Sequence, residues 1–362
     1  MKLKALEFEW SFERESNSND EEVLEGLEPH SNIERIKVRN YMGKKFPLWL
    51  YRMKILSEGD SFTEFNNLVE LQLINCDRCE ELPRLGHLPR LKEVRFYEMY
   101  KIRCIGNEFY GIDSGSTSNG GKMFPALKKL SFNYMWNLVE WKAPPVDEGG
   151  ETSVFSCLEE LCIKNCPLLA KIPLSDSSSL VTLEIENCNE LSYLFEELQV
   201  HSFPSLKSIA IRVCHKLICL PGGLKSFTSL ESLVISDCNR LISVPEYLGD
   251  LHSLRLLEIT HCKRLSYFPE TILGGLTRLR EIRIVEALPE WLGNLSSLQT
   301  LKLRFCKNLK YLPTATAVQR LSKLRKLEIN YCPLSENCTQ GSGSEWSKIS
   351  HIPNVEIRRL YL

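Results

Sequence analysis

Cys76-Asp-Arg-Cys79 has the C-x-x-C spacing of half a zinc site, and Cys162 with Cys166 is a second close pair. A structural zinc needs four converging ligands, and no second C-x-x-C exists to complete one. The seven histidines, His30, His87, His201, His215, His252, His261 and His351, are scattered, with no H-E-x-x-H and no pair at ligand spacing. No G-x-S-x-G nucleophile elbow occurs. The nearest string to a phosphate loop, Gly115-Ser-Thr-Ser-Asn-Gly-Gly-Lys-Met123, sets Lys122 one position too late and puts Met where the Mg²⁺-binding hydroxyl belongs. An inserted loop is the plainer reading. Asp and Glu are numerous but fall in exposed slots, and nothing shields a pair of them for acid–base work. The expectation is therefore no enzyme, no cofactor and no metal.

The elements that hold these residues explain them better than any reaction does. A pattern L-x-x-L-x-L/I-x-x-C-x-x-L-x-x-L/I-P recurs along the chain. It is clearest at Leu230–Leu233–Ile235–Cys238–Leu241–Val244–Pro245 and again at Leu254–Leu257–Ile259–Cys262–Leu265–Phe268–Pro269. One such unit cannot bury its apolar side alone, so neighbours must stack. Coils start near Leu3, Ile33, Leu68, Leu91, Leu127, Leu158, Leu180, Leu206, Leu230, Leu254, Leu279, Leu298 and Leu324. From Leu158 onward their spacing falls in or close to the range of roughly 20–29 residues typical of leucine-rich repeats. The alternation in Leu183-Glu-Ile185 and Leu301-Lys-Leu303 predicts short strands with one face buried, stacked as a parallel sheet. The descending half is too short for a regular helix and ends in proline, which predicts irregular chain or one 3₁₀ turn.

The fold class expected is an α/β-type leucine-rich-repeat solenoid, a horseshoe of about 13 coils with strands on its concave face. One such domain would span 1–362. Within it, 1–157 holds irregular repeats, 158–334 holds regular repeats of roughly 24 residues, and 335–362 is a loop and closing strand. Long polar insertions are read at 111–121 and 143–150. The coil at Leu279 lacks the Cys step, since Ile284-Val-Glu-Ala-Leu-Pro289 runs straight to its proline. A local pinch is expected there.

Eight of the fourteen cysteines (Cys76, Cys166, Cys188, Cys214, Cys238, Cys262, Cys306 and Cys332) share one slot of the repeat. Cys79 stands where other coils place Leu or Ile. A small thiol suits a tight, buried turn after a strand, so reduced structural thiols and a cytoplasmic setting are expected. The N-terminus lacks an apolar signal region, and no stretch reaches the ~18 apolar residues of a membrane span. Leu3, Leu6 and Phe8 already sit in register, as in a piece of something longer. A net charge of −1 gives no general pull toward nucleic acid.

Function is expected on the outward residues around each L-x-L. Glu160, Lys164, Glu184 and Glu186, together with Thr182 and Cys162, make a net acidic group. Arg283, Lys302, Arg304 and Lys326, with Glu281 and Glu328 among them, make a net basic one. Adjoining patches of opposite sign would steer and select a protein partner.

Several stretches go beyond the generic repeat. They are Leu27-Glu-Pro-His-Ser-Asn-Ile-Glu-Arg-Ile36 with Tyr41-Met-Gly-Lys-Lys-Phe-Pro-Leu-Trp49; Leu82-Pro-Arg-Leu-Gly-His-Leu-Pro-Arg-Leu-Lys92 with Ile105-Gly-Asn-Glu-Phe-Tyr-Gly111; Phe124-Pro-Ala-Leu with Trp141; and Lys348-Ile-Ser-His-Ile-Pro353. In these the chain resembles the leucine-rich-repeat domain of plant intracellular immune receptors of the coiled-coil, nucleotide-binding class. The resemblance implies a protein-recognition domain that binds a pathogen effector or host protein and restrains a nucleotide-binding switch. The motif of that switch is not in this sequence. The alternative is a stand-alone truncated scaffold or regulator.

Overall fold

The computed structural model describes residues 3–12, 19–51, 65–112, 122–143, 154–174, 177–194, 203–220, 227–244, 246–265, 275–284, 288, 290–306 and 309–359. The chain forms two compact units, Met1–Phe203 and Pro204–Leu362. The insertions expected at 111–121 and 143–150 lie almost wholly outside the described residues.

In the first unit nine strands follow in order: β1 (Ala5–Glu9), β2 (Arg35–Arg39), β3 (Glu70–Ile74), β4 (Glu93–Tyr97), β5 (Cys104–Ile105), β6 (Lys129–Asn133), β7 (Glu140–Trp141), β8 (Glu160–Lys164) and β9 (Thr182–Glu186). Seven make one parallel sheet, β1-β2-β3-β4-β6-β8-β9, while β5 and β7 pair separately. Each strand of the seven begins two residues after its coil's first Leu or Ile. Successive strand residues point to opposite faces, so one column of the register is wholly apolar: Leu6, Ile36, Leu71, Val94, Leu130, Leu161 and Leu183. All but the first are fully buried.

The longer coils of this unit fill their extra width with aromatic rings. Phe96 stacks on Phe132 at 5.4 Å, Phe124 on Phe155 at 5.0 Å, and Trp141 meets Phe132 edge-on at 5.0 Å. Buried rings with a polar tip need a partner. Trp141 Nε1 donates to the Tyr110 hydroxyl (2.8 Å), which donates to the Lys142 carbonyl (2.9 Å). Two short helices, α1 (Asp20–Gly26) and α2 (Leu48–Tyr51), pack within the first coils. Trp49 Nε1 ties them together by donating to the Leu24 carbonyl at 2.9 Å.

The second unit carries β10 (Ser208–Arg212), β11 (Ser232–Ser236), β12 (Leu256–Thr260), β13 (Glu281–Ile284), β14 (Thr300–Arg304), β15 (Lys326–Asn330) and β16 (Asn354–Arg358), parallel and paired in chain order. Its inward column reads Ile209, Leu233, Leu257, Ile282, Leu301, Leu327 and Val355. The descending halves are irregular where described, as at Cys238–Val244, and 3₁₀ turns at Glu246–Asp250 and Glu290–Asn294 follow the prolines that close two of them. After Pro313 an α-helix takes that place. This is α3 (Ala315–Arg320), and Thr314 caps it by accepting from the Ala317 N–H. The tail adds α4 (Leu334–Asn337) and α5 (Trp346–Ile349) where a Ser/Gly loop was expected, before β16 closes the sheet. Strand β13 has four residues rather than five, and the pinch expected after it falls mainly on 285–287 and 289, outside the described residues.

Most coils leave their strands by the same device. The residue after the strand is left-handed, with φ between 54° and 57° at Asn40, Asn75, Asn165, Asn187 and Asp237. Asn and Asp tolerate that region better than other side chains. Where the repeat's Cys follows, its thiol donates back to the carbonyl of the last strand residue. Examples are Cys188 to Glu186 (3.6 Å), Cys238 to Ser236 (3.4 Å) and Cys332 to Asn330 (3.2 Å). All eight slot cysteines are buried, and all fourteen cysteines are free thiols.

Candidate functional site

The first, third and fifth residues of the five-residue strands face away from the apolar column and form three outward columns. In the first unit the middle column runs Arg95, Ser131, Cys162, Glu184 across β4, β6, β8 and β9. Two short side chains between two long ones leave a recess of about 630 Å³ in the strand face. Glu93, Lys129 and Glu160 line one side; Tyr97, Asn133 and Lys164 line the other, with Tyr134 at the rim. That volume falls in the range of roughly 300–1,000 Å³ typical of ligand pockets, and its lining mixes charge with aromatic surface.

The charges around the recess are paired across coils. Lys129 meets Glu160 at 2.9 Å, and Lys164 meets Glu184 at 2.9 Å and Glu186 at 3.8 Å. Strands about 4.8 Å apart put opposite charges of neighbouring coils in reach. At the recess floor the Cys162 thiol lies 3.9 Å from Asn133 Oδ1 and 4.0 Å from Glu184 Oε2. Burial pushes its ionisation upward, so it sits there as a neutral thiol and not as a nucleophile.

Tyr134 departs from the rule of the turn. It takes the left-handed slot (φ 57°) that Asn fills in four other coils of this unit. A bulky side chain there is strained, and the strain places the ring beside the recess. Tyr134 lies 5.0 Å from Tyr97 and 6.3 Å from Trp136, which is 41% exposed. In the second unit Val213, Asp237, His261, Phe305 and Tyr331 hold the same slot, and Phe305 stacks on Tyr331 at 5.0 Å.

The strand face of the second unit carries the other four sequence candidates, and every one of these cations meets a carboxylate. Arg283 reaches Glu258 (2.6 Å) and Glu281 (2.8 Å); Lys302 reaches Glu281 (2.8 Å). Arg304 and Lys326 converge on Glu328 at 2.8 and 2.9 Å, and Lys326 also reaches Glu356 at 3.1 Å. Glu328 is 4% exposed. Burial alone would raise its carboxyl; hydrogen bonds from Arg304 and Lys326 and the charge of Lys302 overcome that and bring it down to about 2. Glu258 and Glu356, from the coils on either side, offset the net positive charge that the sequence assigns to Arg283, Lys302, Arg304 and Lys326.

The C-x-x-C cysteines are both buried. Cys76 Sγ donates to the Ile74 carbonyl (3.7 Å) and Cys79 Sγ to the Gly43 carbonyl (3.3 Å). Burial pushes the Cys76 thiol up to about 12 and the Cys79 thiol higher still. Among the described residues no three His, Cys, Asp or Glu side chains converge to hold a metal ion. Nor is any helix among them long and apolar enough to cross a membrane.

Arg95, Ser131, Tyr97 and Tyr134 escape the sequence reading, although Glu160, Lys164 and Glu184 beside them do not. The signal that finds them is the same set of outward slots, read in the coils at Leu91 and Leu127.

Parallel strands repeated at L-x-x-L-x-L, with turns closed by a buried polar slot, define a leucine-rich-repeat protein. Residues 1–99 match the family model described as R13L1/DRL21 LRRs, and residues 195–361 match that of a leucine-rich repeat region. The putative disease resistance RPP13-like protein 1 of Arabidopsis thaliana is 30% identical over 229 residues, covering 60% of this chain and 20% of that protein. The disease resistance protein RGA2 of Solanum bulbocastanum is 29% identical over 211 residues, covering 58% of this chain and 20% of its own. Among solved structures, the leucine-rich repeat domain of the type III effector XopL is similar over 64% of this chain and 69% of its own, with a TM-score of 0.46 and 19% identity. The chain has a leucine-rich-repeat fold and is similar to plant disease resistance proteins, and it spans about 20% of the length of these two relatives.

Proposed function

We propose that this chain is a non-catalytic recognition domain that binds a protein partner through the strand face of its first unit. The recess bordered by Arg95, Ser131, Cys162 and Glu184 and edged by Tyr97 and Tyr134 carries the reading. Tyr, Trp and Arg dominate binding energy at protein interfaces, and all three gather at this rim. The recess admits a projecting side chain, while the paired charges around it sort partners by complementarity. The similarity to plant disease resistance proteins favours a pathogen effector or a host protein as that partner, met in the cytoplasm. In a complete receptor the same domain restrains a nucleotide-binding switch, and Arg283, Lys302, Arg304 and Lys326 on the second unit's strand face are proposed as further contacts.

The test is a complete receptor carrying Tyr97→Ala with Tyr134→Ala, assayed in leaf tissue for response to the cognate pathogen and for response without it. Both rings are half-buried, so the pair of substitutions should lower the stability of the isolated chain by about 1–3 kcal/mol and leave it folded. The expected result is a lost response or one that no longer needs the pathogen. A receptor that keeps both its response and its silence overturns the reading.

A further inference from the structure

Just before the strands of the second unit lies a cationic group that the strand-face pairing does not reach. The residues that enter successive strands are bonded backbone to backbone. Arg280 N donates to the Arg255 carbonyl (2.8 Å), Gln299 N to the Arg280 carbonyl (2.8 Å), and Arg325 N to the Gln299 carbonyl (2.9 Å). Adjacent coils thus set Arg255 and Arg280 side by side, with Arg278 and Lys323 on the neighbouring turns. Together with Ser297 and Gln299 these line a recess of about 270 Å³. Glu231 borders it, 3.6 Å from Arg255. Among the described residues no carboxylate lies within ion-pair distance of Arg278, Arg280 or Lys323. The contrast with Arg283, Lys302, Arg304 and Lys326, each within 3 Å of a carboxylate, is the telling observation. Two neighbouring cation sets in one unit are treated in opposite ways.

Four exposed cations, of which only Arg255 has a carboxylate in reach, repel one another, and an anion seated among them relieves that repulsion. We infer that this recess binds a compact ligand bearing clustered phosphate groups. Guanidinium forks match phosphate oxygens in pairs, and lysine adds a point charge. The Ser297 hydroxyl and Gln299 amide supply neutral donors between them. A protein segment fits less well, because interface cores need apolar and aromatic surface and this lining has almost none. The volume is also under the roughly 300 Å³ at which drug-sized pockets begin, which favours a small, highly charged ligand.

Calorimetric titration of the full chain with inorganic triphosphate tests the site. Binding should be measurable at low salt and weaken as salt rises. Arg278→Gln with Arg280→Gln and Lys323→Gln should weaken it at least tenfold. Lys92→Gln with Lys142→Gln and Lys171→Gln removes as much charge from the first unit and should leave it unchanged. If the triple variant unfolds, Arg278→Gln alone should still weaken binding severalfold. No heat at millimolar triphosphate, equal loss in the control variant, or tighter binding of a glutamate decapeptide than of triphosphate would overturn the inference.

Discussion

Glu328 shows how much one residue of the strand face can hold. Its carboxylate is buried among Lys302, Arg304 and Lys326 and sits near 2, well under its ordinary 4.5. Each tenfold change in proton affinity is worth about 1.4 kcal/mol, so the depression corresponds to about 3 kcal/mol of stability. A carboxyl held down in the folded state contributes in full above its unfolded value, and the contribution is lost as pH falls toward 2. Glu281, also held down by Lys302 and Arg283 against the opposing effect of burial, adds in the same direction. Glu328→Gln should therefore cost about 2–3 kcal/mol at neutral pH. It should also flatten the acid side of the stability curve between about pH 4.5 and 2, read from urea unfolding at stepped pH. An unchanged acid limb would mean that the three cations do not share this carboxylate in solution. Sequence marks Glu328 as outward but not as buried, because its cover comes from long side chains of the preceding coil as well as its own.

At the scale of elements, the strands and the irregular descending halves were legible and the short helices were not. Thirteen strands begin two residues past the Leu or Ile that opens each L-x-x-L-x-L, because period-2 alternation and a fixed coil length leave one register that buries the apolar column. Helices α1 to α5 were missed: each is seven residues or fewer, too short for a 3.6-residue period to show. The signature around Leu85-Gly-His87 has a structural cause. Leu85 N donates to the Phe109 carbonyl (3.2 Å), Phe124 N to the Gly86 carbonyl (2.6 Å), and the His87 Nε2 sits 3.1 Å from the Gly111 carbonyl. This is a lock between coils. A Cβ on Gly86 would stand 2.0 Å from the Tyr110 carbonyl oxygen, and neither backbone can retreat. Gly86→Ala should lower stability by about 2 kcal/mol or more, seen as a fall in melting temperature. A variant as stable as the parent would show that the lock is loose.

Across the whole molecule the cysteines report packing. Ten of the fourteen are buried, three are partly covered, and Cys157 is exposed. Thiol reactivity follows thiolate character and access, and burial works against both. In the native chain DTNB should modify Cys157 at once and no more than Cys104, Cys162 and Cys219 after it, with the remaining ten appearing only in guanidinium. Rapid reaction of more than four thiols would contradict the packing. The same alignment of coils that placed eight of these cysteines in one slot also named Glu160, Lys164 and Glu184 at the recess. It overlooked Arg95 and Tyr134, since their coils carry long insertions that blur the repeat.

The ion pairs of the strand faces have a consequence for how such a surface changes over generations. Most outward charges answer to a charge one coil away, so replacing Arg283 alone strands Glu258 on a neighbouring coil. A single substitution then alters two repeats and costs stability before it alters recognition. New specificities would arise most readily as paired exchanges on adjacent coils, or at positions such as Tyr134 that no partner charge constrains.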